Sequence, residues 1–291
     1  MNDYNYNTKQ QLFKKLKNSN LNIVEFIIKR EMTLFGAEKK QLIFKLKSYI
    51  KTMRKSIDEG LKGKNKTICL NNEAARLYRY KQRLLSDFEY EVIYSSIAIA
   101  EHNCSMGKII ACPTAGSCGI LPGVLIPLGI RKNISDLKLV YALIIAGEVG
   151  RIIANKTSIS GAVGGCMVEC GIASAMTAAA VTYLMGGDEE KIFNAATLAL
   201  KNNMGLICDP VAGMVEVPCV KRNGLKAIES LAAAQLSLSG VKSVIPFDEV
   251  VDSIKEIAGN MDGKYKETAT GGLAVTPTGY KYKKILIKRK S

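Results

Sequence analysis

A chain of 291 residues that is 47% hydrophobic has apolar material for a real core in one large or two small domains, which excludes disorder as its default. Its formal charge of +15 raises nucleic acid as a partner, but the positives gather in residues 8–66 and in the tail GYKYKKILIKRKS, Trp is absent, and no motif interleaves aromatics with basic residues. That distribution describes a solvated basic surface, or one facing an acidic partner, rather than a nucleic-acid site.

The opening MNDYNYNTKQQLFKKLK lacks an apolar h-region, and eight cysteines without a secretory context read as thiols of a reducing compartment. A cytoplasmic protein is expected. Ile43, Leu46, Ile50, Met53 and Ile57 recur at alternating steps of three and four, which predicts an amphipathic helix facing either a partner or the core. The stretch GLKGKNKTICLNNE then reads as a loop and hinge. It sets a boundary between a helical lead over residues 1–65 and a catalytic domain over 66–280, with a basic tail over 281–291.

Beyond it, helices are predicted over residues 86–101, 136–150, 170–186, 188–203 and 224–240, separated by Gly/Pro loops. Strand patterns are scarce, so the fold class is all-α, a helical domain with Gly/Pro-rich loops. Residues 109–130 carry no charge over a length that could span a bilayer. Pro113, Pro122 and Pro127, with four glycines, would leave backbone groups that lipid cannot satisfy, so buried loops and short helices are expected and no membrane span. The uncharged run 170–187, mostly Ala, Gly, Ser and Thr, predicts a core helix.

Three loops share a composition: ACPTAGSCG (111–119), SISGAVGGC (158–166) and TGGLAVTPTG (270–279). Gly with Thr or Ser lets backbone N–H groups converge on an anion, often at a helix N-terminus, and the same residues also make ordinary tight turns with a hydroxyl cap. Three such loops point to a small carboxylate or phosphate substrate. Single cysteines, Cys166, Cys208 and Cys219, stand 42 and 11 residues apart in surroundings rich in Gly, Pro and small apolar residues. A structural zinc module would show tight Cys pairs or a Cys/His set. Two readings stay open: thiolates from several loops holding three irons of a [4Fe-4S] cluster, with the fourth iron free as a Lewis acid, or ordinary buried thiols.

The segments EHNCSMGKIIACPTAGSCGILPGVLIPL, ISGAVGGCMVECGIASAMTAAA, LKNNMGLICDPVAGMVEVPCVKRN, IPFDEVVDSI and KETATGGLAVTPTG resemble the α subunit of the iron–sulfur-dependent L-serine dehydratases, over residues 72–280. The run GLICDPVAGMVEVPCVKRN is the most specific. The resemblance implies an all-helical catalytic domain, a [4Fe-4S] cluster on Cys166, Cys208 and Cys219, no pyridoxal phosphate, and β-elimination of water from L-serine. It further implies a separate β subunit with an ACT-like part, which nothing in this chain resembles. Departures from the family pattern are Met167 for Gln, Cys170 for a small apolar residue, Cys112 for Ala, Tyr280 for Arg, and the absence of an LSG turn in KQRLLSDFEYE. Cys170, four residues after Cys166, shares its face if the segment is helical and competes as a ligand.

By the same resemblance, Asn103, Ser105, Thr114, Ala115, Gly116 and Ser117 contact the substrate carboxylate or amine, while Thr276, Thr278 and Gly279 close the site. The general base is open. His102, the only histidine, titrates in the right range but stands where the family carries an apolar residue, and a lone His at a helix end is more often a cap or surface group. The family's β subunit bears a Gly-His-Gly-Thr loop, which favours a base from the partner. Lys221 and Arg222 either tune the cluster and pair with acids or mark a solvated helix start. Two further readings are a cysteine desulfidase with a similar cluster, and a noncatalytic basic zinc or nucleic-acid protein.

Overall fold

The computed structural model describes residues 4–290; residues 1–3 and 291, which belong to the expected lead and tail, lie outside the described residues. Twelve α-helices and three short 3-10 turns follow one another, with no strand among the described residues and one isolated bridge between Cys208 and Lys266. The all-α expectation holds.

Helix α8 (Gly161–Leu184) is the centre, packed against α6 (Ile120–Arg131), α7 (Asp136–Ala154), α9 (Glu189–Lys201), α10 (Cys219–Leu238) and α11 (Phe247–Asn260). Its Ala, Gly, Ser and Thr side chains let five neighbours approach, and Thr177 and Thr182 turn their hydroxyls back onto Ala173 O and Ala178 O, which satisfies both groups within the helix. By length and composition it could cross a membrane, yet 89% of its most apolar window is buried inside the protein. It is a core helix, as its composition predicts. Residues 109–130 likewise resolve into a loop and the 12-residue α6.

The helical lead consists of α1 (Lys9–Lys17), α2 (Ile23–Phe35) and α3 (Lys39–Leu61). The stripe on α3 faces the core rather than a partner: Ile50, Met53 and Ile57 are buried, and Ile43 and Leu46 pack against the same cluster. Full burial of a side chain such as Ile50, Met53 or Ile57 contributes about 1.5–3 kcal/mol, so this part of the stripe is used within the chain. The fit is tight where α3 crosses α5 (Asp87–Cys104), since a Cβ on Gly60 would lie 2.1 Å from Ala98 O. The loop after α3 leads through α4 (Glu73–Arg79), whose first backbone N–H groups, Glu73 and Ala74, donate to the buried Glu101 carboxylate of α5. The chain ends in α12 (Pro277–Lys290), which docks on the 3-10 turn Val211–Gly213.

Candidate metal and substrate site

Three helix starts meet at one place. Helix α8 is broken at Gly164 and Gly165, where the backbone leaves the helical region, and Gly165 adopts φ +66°, ψ −166°, a combination essentially confined to glycine. The break makes Cys166 the first residue of a new helical run, with Met167 N–H donating to Leu206 O at 2.8 Å instead of to its own helix. Cys219 is the first residue of α10, and the loop 112–119 leads into α6. Helix N-termini favour negative charge, and Cys166, whose thiol is held low, stands at one of them.

Cys166, Cys170, Cys208 and Cys219 are all buried. Cys166 Sγ, Cys208 Sγ and a Glu169 carboxylate oxygen lie within 4.8 Å of one another. Hydrogen bonds from Cys170, then Cys208 and Cys219, hold the Cys166 thiol far below its ordinary value, and the Arg222 guanidinium adds to this. The same bonds, with burial, push Cys170, Cys208 and Cys219 up. All three predicted ligands therefore converge, and Cys170 joins them from the next turn of α8. A buried set of sulfur donors suits a soft metal centre, iron–sulfur or zinc.

Arg222 donates to Cys166 Sγ at 3.1 Å, to Ile207 O at 3.0 Å and to Asp209 Oδ1 at 3.2 Å. It is no solvated helix start: its side chain is 17% exposed and that of Asp209 4%. Lys221, by contrast, is a half-exposed partner of Glu73 at 3.0 Å.

The loop of residues 112–117 is fixed from three sides. Thr114 donates its hydroxyl to Glu169, Asn103 Nδ2 donates to Ala115 O at 3.1 Å, and Asn223 Nδ2 donates to Gly116 O at 2.8 Å. Asn223 also accepts from Gly119 N–H at 2.8 Å, so one buried amide one turn after Cys219 ties this loop to α10. Ser117 Oγ lies 3.0 Å from Thr114 Oγ1. Ser105 Oγ is buried without a hydrogen-bond partner among the described residues.

Glu169 and Asn223 stand in the site although neither is among the residues expected there from the sequence. The signal for Glu169 was its isolation, as the single charged residue between Lys156 and Asp188. Burial pushes its carboxyl up to about 7, while the bond from Thr114 opposes the shift.

The closing segment is placed less directly. Asp209 Oδ2 accepts from Leu273 N–H at 2.9 Å, which ties residues 272–276 to the arginine on Cys166. Thr276 Oγ1 accepts from Gly279 N–H at 3.0 Å and caps α12, while Thr278 is exposed in the first turn of that helix. His102 lies elsewhere: it lines a cleft with Ser48, Lys51, Thr52, Lys55 and Lys108, among which there is no cysteine.

The fold and site define an all-helical protein that gathers buried thiols, two of them at helix starts, beside a loop rich in hydroxyl and N–H groups. Residues 18–274 match the family described as serine dehydratase alpha chain, and the chain belongs to that family. It is 37% identical over 279 residues to the probable L-serine dehydratase alpha chain of Bacillus subtilis, covering 94% of this chain and 93% of that one. It is 33% identical to the L-serine dehydratase alpha chain of Peptoniphilus asaccharolyticus over 97% of this chain and 98% of that one. The L-serine dehydratase of Haemophilus influenzae is 32% identical over 94% of this chain, which spans 62% of that longer protein.

Proposed function

We propose that the chain dehydrates L-serine, releasing water and aminoacrylate, which hydrolyses to pyruvate and ammonia, with a [4Fe-4S] cluster held by Cys166, Cys208 and Cys219. The observation that carries this reading is the convergence of buried thiols at the starts of α10 and the second run of α8, next to the Thr114–Ser117 loop. Family membership supports serine as the substrate.

When bound, the cluster supplies a Lewis-acidic iron without a thiolate, able to draw off the substrate hydroxyl. The residues of the chain do the rest. Hydroxyls and N–H groups of Ser105, Thr114, Ala115, Gly116 and Ser117, with Asn103 setting the loop, hold the carboxylate and stabilise charge that develops as the Cα proton leaves. Glu169 orients Thr114. Thr276, Thr278 and Gly279 close over the substrate and exclude water.

The proton acceptor is assigned to a second chain, the β subunit with its ACT-like part, because His102 sits among lysines rather than cysteines. Both chains work in the cytoplasm in this reading, and no nucleic acid or membrane takes part. Anaerobic co-purification with a β chain, followed by iron and sulfide analysis and pyruvate formation from L-serine, tests it. Turnover of L-cysteine faster than L-serine would replace it with a desulfidase. Colourless protein that binds DNA with steep salt dependence would reject both.

A further inference from the structure

We propose that the cleft between α3 and the end of α5 binds a small phosphate-type oxyanion, held by Lys51, Lys55, Lys108 and His102, which line it. The cleft encloses about 340 Å³ and is lined by these four residues with Ser48 and Thr52, and no carboxylate is among them. The two hydroxyls are already engaged as donors, Ser48 to Lys45 O at 2.7 Å and Thr52 to Ser48 O at 3.1 Å. The ammonium groups and the imidazole are what remain to meet a ligand.

None of the three lysines forms an ion pair among the described residues. Lys51 and Lys55 are four apart on one helix, a spacing at which like charges repel, and Lys108 brings a third charge from the segment after α5. The acid nearest by electrostatic influence, Glu59, is engaged by Lys62 at 2.7 Å. Burial holds the His102 imidazole below its ordinary value, Glu59 opposes this, and Lys55 and Lys62 add to it. A dianion among these cations removes the repulsion and draws a proton onto His102.

The place has a consequence for the substrate loop. His102 O accepts from Ser105 N–H and Gly107 N–H at 3.2 and 2.8 Å, and the next residue, Asn103, bonds Ala115 O. An anion held by His102 and Lys108 grips both ends of the turn that carries Asn103 and Ser105. Small phosphorylated metabolites or free phosphate would thus steady that turn from a position outside the thiol site.

The single histidine makes the test site-specific without any need for catalysis, so it stands apart from the serine reading. Inorganic phosphate is titrated into the full chain carrying 13C-labelled histidine, with chloride at matched ionic strength as control. We expect a saturable shift of the His102 ring resonances and an upward shift of its titration. In the Lys55→Gln/Lys108→Gln variant, verified as folded by circular dichroism, the midpoint weakens about tenfold or more, as loss of two ammonium partners of the anion implies. Glycerol phosphate binding more tightly than phosphate assigns the site to phosphomonoesters; equal binding assigns it to free phosphate. Absence of a saturable shift, or an unchanged midpoint in the double variant, overturns the proposal.

Discussion

Arg222 bridges Cys166 and Asp209, with one guanidinium nitrogen 3.1 Å from the sulfur and the other 3.2 Å from the carboxylate. Because Asp209 also accepts from Leu273 N–H, the thiol site and the segment before α12 share one ion pair. Asp209→Asn should weaken that link while keeping the side chain's volume. Hydrogen exchange at Leu273 is expected to speed up about tenfold or more, as loss of a charged acceptor implies. Exchange unchanged from the parent chain would show that the segment is held by other contacts.

The cysteines are expected to separate by role. Cys166→Ala, Cys208→Ser and Cys219→Ser should each abolish the brown colour, bound iron and activity of anaerobically prepared protein, whereas Cys170→Ala should keep the colour. Iron and sulfide content per chain is the measurement. If Cys170→Ala loses the metal and Cys166→Ala keeps it, the ligand is Cys170.

Gly165→Ala should destabilise the chain by about 1–3 kcal/mol, the cost of a side chain at φ +66°, ψ −166°. Its Cβ would also stand 3.1 Å from Leu206 O, the acceptor for Met167 N–H. Urea denaturation of the apoprotein reads the loss. A variant as stable as the parent would mean that the break in α8 relaxes at no cost.

Glu169→Gln should raise the KM for L-serine about tenfold or more with iron content unchanged, since the amide leaves one uncharged acceptor oxygen where the Thr114 hydroxyl and the Gly116 N–H now meet a carboxyl group with two. Unchanged KM would show that the loop is positioned without it.

The Arg54–Asp136 pair joins α3 to the start of α7 in bidentate geometry, at 2.6 and 3.2 Å. The bonds from Arg54 hold the Asp136 carboxyl below its ordinary 3.8. A depressed carboxyl contributes stability above its unfolded value, and that contribution disappears as pH falls through the folded value. With side chains 39% and 47% exposed, solvent limits it to about 0.2–1 kcal/mol. Thermal melts should show Asp136→Asn less stable than the parent at pH 6, with the difference shrinking as pH falls from 3.8 through the depressed folded value. A constant difference across that range would assign the effect to the cap of α7 instead.

The helices were legible because their cause is local: apolar spacing, Gly/Pro punctuation and small-residue runs act within a few turns. Residues 43–57 announced an amphipathic helix but not what it faces, since a stripe carries no information about what covers it. Only packing on α5 and α7 decided that the core does. The spacing of Cys166, Cys208 and Cys219, with the motifs around them, pointed to a metal site. The roles of Glu169 and Asn223, and the choice between the two readings of Arg222, were not legible, because each bonds a residue 13 to 107 positions away, and long-range partners follow from how α6, α8 and α10 converge. By itself the sequence determined the helical class, the family and which cysteines to look for together. Tertiary structure alone decided that a break at Gly164 and Gly165 turns Cys166 into a helix start, that Arg222 meets its sulfur, and that His102 lies among lysines instead, since burial and charge at each depend on elements remote in the chain.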